Sequence, residues 1–186
     1  KSNAAEEFVK AGINVRACRV NKRGHIEQAM SFPPFEFKQL INEDWETSSF
    51  RARLETSRFF FVVFREDHEG MWRLDRCLFW AMPANEIEGP AKACWDETRK
   101  VIREGVELNP YRDASGKLKV TNNLPGMADN PIVHVRPHTS KAAYRFADGT
   151  EIGDIARNAY ELPDRRWMTR QSFWFNKSYL EHILGL

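Results

Sequence analysis

The stretch Glu7–Val20, EFVKAGINVRACRV, decides how the chain is read. From Ile13 onward it alternates apolar and polar residues, the period of a strand with one face buried. Its polar positions are Asn14, Arg16 and Arg19, with no carboxylate among them. Three readings are open: an ordinary half-buried strand, a phosphate-binding surface, or a catalytic strand that lacks its metal ligands.

Outward from this strand, NKRG (21–24) predicts a turn and residues 26–32 a returning strand, together a hairpin. Pro33-Pro34 ends it. Residues 35–54 predict partial helix, with WETSSFRARL (45–54) as its informative piece. RFFFVVF (58–64) is a continuous apolar run, expected of a strand covered on both faces. MWRLDRCLFWAM (71–82) reads as its hairpin partner. Residues 91–104 place apolar side chains at helical spacing behind Pro90, with Gly105 as the stop. Residues 109–130 read as one long connection, and 132–136 as a short strand. Residues 139–161 predict partial helix, and NKSYLEHIL (176–184) a closing helix with Ser178 and Glu181 as a capping box. Strands, hairpins and helices in this order predict an α/β domain, a mixed sheet flanked by helices.

Bulk composition sets the class. A chain of 186 residues, 42% hydrophobic and 29% charged, is expected to form one globular domain over 1–186. It holds no apolar run near the ~20 residues of a membrane helix. No secretory signal is visible, and a cytoplasmic location is the expectation. The chain begins at Lys1 rather than Met, so a fragment of a longer protein is expected. Cys18, Cys77 and Cys94 are odd in number and far apart, which speaks against a disulfide framework or a zinc site.

Net charge is only +2, yet its distribution is uneven. Residues 1–131 balance 20 basic against 20 acidic side chains, and the excess lies in 132–186. Two windows lack acids: 10–23 with five basic residues (Lys10, Arg16, Arg19, Lys22, Arg23), and 165–177 with four. Each alone reads as a solvated face. The second, RRWMTRQSFWFNK, interleaves Arg165, Arg166, Arg170 and Lys177 with four aromatics, a pattern that suits phosphates and bases. Its plain alternative is core aromatics beside solvated arginines. His134 and His138 lie ~13 Å apart along a strand, too far to share a metal. Phosphate loops, nucleophile elbows and zinc-protease helices are absent.

Taken together, EFVKAGINVRACRV, WETS with its following RAR, RFFFVVF, HVRP (134–137) and LPDRRWMTRQSF (162–173) resemble, in order, the blocks of one family. It comprises the mismatch-repair endonuclease MutH and the GATC-cutting type II restriction enzymes related to it. The resemblance covers nearly the whole chain. It implies the restriction-endonuclease fold, a mixed sheet between helices that forms a DNA-binding cleft. It implies phosphodiester hydrolysis in which two acids hold Mg²⁺ and a lysine assists.

The family's Asp falls at Glu7, its Glu at Asn14 and its Lys at Arg16. Asn14 is neutral, Glu7 is longer by a methylene, and Arg16 cannot give up a proton. This set resembles the degenerate second domain of GATC-cutting enzymes that carry two such folds in tandem. The resemblance therefore implies a catalytically silent, allosteric DNA-binding domain of a type II restriction enzyme. It would need no cofactor itself, with Mg²⁺ serving the parent nuclease. Its partners would be duplex DNA bearing a GATC-type site and a catalytic MutH-like domain in the same polypeptide. Phosphate contacts are expected from Arg16, Arg53, Lys141 and Lys177. Base readout is expected from Arg136, His138, Met168, Arg170 and Gln171. Two other outcomes stay open: a metal site rebuilt from Glu6 or Glu7 with Glu27 or Glu36, and a protein-interaction module.

Overall fold

A computed structural model describes residues 6–186. Helix α1 (Glu6–Lys10) leads through Gly12, at φ 66°, into strand β1 (Ile13–Val20). The strand has the predicted bounds but forms no hairpin. The returning chain forms a single Val20–Ile26 bridge with it, beside an Arg19 N–H bond to the Gln28 side chain, and β2 (Met30–Ser31) joins another sheet. The chain then crosses over through α2 (Phe37–Leu40), a 3-10 turn (Trp45–Thr47) and α3 (Ser49–Thr56). Ser48 caps α3, its hydroxyl accepting from the Arg51 N–H at 3.2 Å. This crossover delivers β3 (Arg58–Glu66) parallel to β1, a pairing that no tight turn could make. The predicted hairpin partner β4 (Trp72–Ala81) returns antiparallel, with a bulge at Val63/Phe64. The sheet order is β1-β3-β4, so β3 is central.

A short helix α4 (Ala84–Glu86) and a π-turn (Ile87–Ala91) holding Pro90 precede α5 (Lys92–Glu104). Gly105, at φ 110°, ends α5. The stretch read as a long connection folds instead into a hairpin, β5 (Leu108–Arg112) and β6 (Leu118–Asn122). Its turn is built by Asp113, whose carboxylate accepts from the Ser115 and Lys117 N–H groups. Strand β7 (Val133–Pro137) follows.

Residues 139–161 hold more strand than helix: β8 (Tyr144–Arg145), β9 (Glu151–Ile152), α6 (Ile155–Asn158) and β10 (Ala159–Glu161). With β11 (Trp167–Thr169) they give a sheet ordered β10-β11-β8-β9. Strand β12 (Gln171–Phe175) lies between β2 and β7 in a further sheet, and α7 (Lys177–Leu184) closes the chain. The fold is thus mixed α/β, but its strands form several small sheets rather than one. The predicted capping box is absent: Asn176 precedes α7, Ser178 lies inside it, and Glu181 accepts from the Ile26 N–H.

Aromatic side chains join these layers. Phe50 of α3 stacks on Phe173 of β12 at 4.1 Å between ring centroids. Phe32 meets Phe50 and Phe175, and Trp80 of β4 meets Phe175. Burying each such ring contributes ~1.5–3 kcal/mol. β3 alternates instead of being buried on both faces. Phe59, Phe61 and Val63 are in the core, while Phe60, Val62 and Phe64 are half-buried. Phe8 of α1 stacks on Phe60 at that outer face.

Candidate nucleic-acid interface

The alternation of β1 builds the site. Asn14, Arg16, Cys18 and Val20 share one face. Cys18 and Val20 are buried in the core, whereas Asn14 and Arg16 are exposed. One strand face thus runs from the core out into a cleft, with Asn14 beside Phe59 and Arg16 beside Phe61 of β3. Helix α3 forms the opposite wall. A groove of about 810 Å³ is lined by Asn14 and Arg16 from β1 and by Ser49, Arg53 and Thr56 from α3. A second, of about 400 Å³, shares Asn14, Arg16, Arg53 and Ser57 and extends to Met30 and His138. The shared residues make the two one continuous cleft.

Its electrostatics are one-sided. Among the described residues, no Asp or Glu lines either groove. Among the described residues, Arg16 and Arg53 make no ion pair, whereas the neighbouring Arg51 is held by Glu55 and Glu88. Two guanidinium groups without a counter-charge, presented in a concave surface, attract a phosphate and can grip it bidentately. The same donor set does not fit Mg²⁺, which takes hard oxygen ligands and usually a carboxylate. Among the described residues no three His, Cys, Asp or Glu side chains gather as a metal-ligand set.

A cationic-aromatic rim adjoins the cleft at His138. The His138 ring lies 3.1 Å from the Ser172 hydroxyl through Nδ1 and 6.4 Å from the Trp174 ring. The Arg136 guanidinium stacks 4.5 Å above Trp174. Trp174 is half-exposed, so this platform is open to a ligand. Arg136 and His138 stand two residues apart in HVRPH (134–138), and Trp174, which joins them, is one of the four aromatics interleaved with the basic residues of 165–177. Lys141 is exposed just beyond, on the same connection.

The other expected residues are placed elsewhere. Met168 is 0% exposed and Gln171 is 1% exposed. The Gln171 amide donates to the Thr169 carbonyl at 2.8 Å. Both were expected to read bases, and as folded neither side chain reaches a DNA groove. Each sits on a strand with neighbours on both sides, so alternation turns it into the core. Arg170 is half-buried, 4.6 Å above the Tyr160 ring. Lys177 opens α7 and donates to the Glu27 carbonyl at 3.4 Å.

Of the five basic residues in the first acid-free window, only Arg16 lines the cleft. Arg19 lies on the opposite strand face, over Trp72, and Lys22 binds the His68 carbonyl. Glu7 is exposed on α1 and lines neither groove, and the same holds for Glu27. Glu36 lines a smaller adjoining pocket, and the side chain of Glu6 lies outside the described residues. His134 is buried, with Nδ1 2.6 Å from the Asn176 side-chain oxygen, and burial holds its pKa below the ordinary value.

No protein-family model matches the chain. In an alignment 189 positions long that covers 95% of the chain, it is 37% identical to the type II restriction enzyme Sau3AI of Staphylococcus aureus. It spans 39% of that enzyme's length. The chain is therefore related to a restriction enzyme and corresponds to a part of one. No helix among the described residues is long and apolar enough to cross a membrane.

Proposed function

We propose that this chain is a MutH-like, catalytically silent domain that binds duplex DNA at a GATC-type site. In this reading it supports cleavage by a separate catalytic domain of the same polypeptide, the whole being a type II restriction endonuclease. The carrying observation is the pair Arg16 and Arg53, which among the described residues make no ion pair and share a cleft lined by no carboxylate. The kinship to a type II restriction enzyme supports DNA as the polyanion. Phosphate contacts then come from Arg16 and Arg53, with Lys141 and Lys177 at the periphery. Arg136 and His138, organised by Trp174, are the side chains placed to meet a base edge. Mg²⁺ belongs to the catalytic domain, not to this cleft. Coupling between the two DNA sites is reciprocal: each occupied site favours the other by the same factor.

The test is the purified chain with GATC and scrambled duplexes, with and without Mg²⁺ or Mn²⁺. Expected are salt-sensitive binding, preference for the GATC duplex, and no cleavage. Cutting that disappears in Glu7→Ala overturns catalytic silence. Association that ignores both sequence and salt points to a protein-interaction module instead.

A further inference from the structure

The two faces of the β1-β3-β4 sheet are unlike. One carries Phe59, Phe61 and Val63 of β3 into the core. Across the other, Val15, Phe60 and Phe79 form one rung, and Ala17, Val62 and Cys77 the next. Neither rung holds a charge. Phe79 is 64% exposed, and Leu74, farther along β4, is 61% exposed. Contiguous apolar side chains left in water mark an interaction site. The sequence of β3 agrees. RFFFVVF is apolar on both faces, and a parallel pair such as β1–β3 is ordinarily covered on both. On this side α1 supplies Phe8, stacked on Phe60, while Phe79 and Leu74 stay in solvent.

We propose that this face docks the catalytic domain which the reading above places in the same polypeptide. The inference rests on that reading and names the surface through which the two domains meet. Three observations favour this occupant. The chain spans 39% of the related restriction enzyme, so the larger part of that enzyme lies outside the matched region. Both flanks of the described chain lie against this sheet. Phe8 of α1 stacks on Phe60 of β3, and the Arg76 guanidinium of β4 donates to the Leu184 carbonyl at the end of α7 at 3.2 Å. A domain joined ahead of α1 or behind α7 therefore departs from beside it. The chemistry of the face also suits a protein layer and not DNA. A flat apolar sheet is covered by another apolar layer, whereas phosphate needs cations that the two rungs lack. Alternation along β1 then sets the two sites back to back: Asn14 and Arg16 face the cleft, Val15 and Ala17 the docked domain. DNA and the partner domain can be held at once, on opposite sides of one strand.

The experiment compares the chain alone with the full-length polypeptide that contains it. The readout is the alkylation rate of Cys77, followed by peptide mass spectrometry, because this exposed thiol lies on the face. In the chain alone Cys77 should react as an exposed thiol. In the full-length polypeptide it should react ~10-fold more slowly or less, since a docked surface must open before the thiol is reached. Leu74→Glu, at an exposed position, should restore the fast rate there and lower DNA cleavage, while DNA binding by the chain alone stays unchanged. If thermal melts show that Leu74→Glu does not fold, Phe79→Glu is read in its place, with the same result expected. Equal Cys77 rates in the two wild-type proteins, alongside salt-sensitive DNA binding and cleavage, overturn the docking face and leave the DNA reading intact. Protection that persists in the folded variant also overturns it. Slow reaction in the chain alone that quickens on dilution makes a second copy the occupant and overturns the proposal. A full-length polypeptide that neither binds nor cuts DNA removes the DNA reading, and with it the identity of the partner.

Discussion

Arg53→Ala isolates the phosphate cleft. Arg53 is exposed in the last turn of α3 and lines both grooves without an ion-pair partner among the described residues. Each phosphate neutralised on duplex DNA adds ~0.9 to the slope of log K against log salt. One contact is then worth about 15-fold in affinity at 50 mM salt, about 8-fold at 100 mM and about 4-fold at 200 mM. At 100 mM this is ~1.2 kcal/mol. Arg53→Ala should cost these factors and flatten the slope by ~0.9. Arg16→Ala should do the same, and the double variant should flatten it by ~1.8 if the two grip different phosphates.

Stability should hardly move. Alanine favours a helix, and the lost interaction of an arginine with the helix C-terminus is ~0.3–1 kcal/mol. The control is Arg51→Ala on the same helix. It removes the same charge, but from a side chain held by Glu55 and Glu88 and absent from both groove linings. Its slope should equal that of the wild type. Anisotropy titrations of a labelled duplex from 50 to 200 mM KCl give the slopes, and thermal melts check the fold. Equal slopes for wild type, Arg53→Ala and Arg16→Ala would refute the assignment of this cleft to phosphate.

Three further outcomes are expected. Phe50→Ala removes a ring stacked on Phe173 and should cost ~3–5 kcal/mol in urea unfolding; a loss below ~1 kcal/mol would mean that α3 is not anchored there. Cys77 is exposed, while burial pushes the Cys94 thiol up to about 12 and also raises Cys18, so a disulfide reagent at pH 8 should modify one thiol quickly. Rapid modification of all three would contradict the packing of β1 and α5. Burial, and to a lesser degree Arg136, holds His134 below its ordinary 6.5, so its contribution to stability is complete above that pH. It declines as pH falls through 6.5 toward the folded value, and His134→Gln should flatten the stability profile in that window.

The sequence made legible what local periodicity controls. β1, the β3–β4 hairpin and α5 lie within a residue or two of their expected bounds, because each is a long run with a clear period or an unbroken apolar stretch bounded by turn residues. Pairing is not local, and local pattern does not predict it. The turn at NKRG predicts a hairpin, yet β1 pairs with β3 across the whole α2–α3 crossover. A strand on the edge of its sheet carries no mark of which neighbour it will choose. The β5–β6 hairpin was hidden by Asn109, Pro110 and Gly116, residues that read as loop although here they form strand and turn. The site was legible in the same uneven way. Arg16, Arg53 and His138 do converge. Met168 and Gln171 have side chains suited to reading bases, but residue type does not reveal which side of a strand faces the core.

The phase of β1 connects fold to function. A shift of one residue would bury Ala17 and Arg19 and turn Asn14 and Arg16 away from the cleft. Burying the Arg19 guanidinium without a partner would cost several kcal/mol, so the phase is fixed by the core, through Cys18 and Val20. The core thereby determines that positions 14 and 16 face whatever occupies the cleft. With acidic residues at such positions, the same geometry would draw a divalent cation and repel phosphate until the ion was bound. With Asn14 and Arg16 there, and Arg53 opposite, phosphate is attracted directly and a dication meets like charge. Side chains at two positions of one strand face thus set whether this geometry favours a dication or a phosphate, without altering the packing that positions them. Placing an acid at position 14 by Asn14→Glu tests this separation: the fold should persist, while affinity for DNA in the absence of metal should fall.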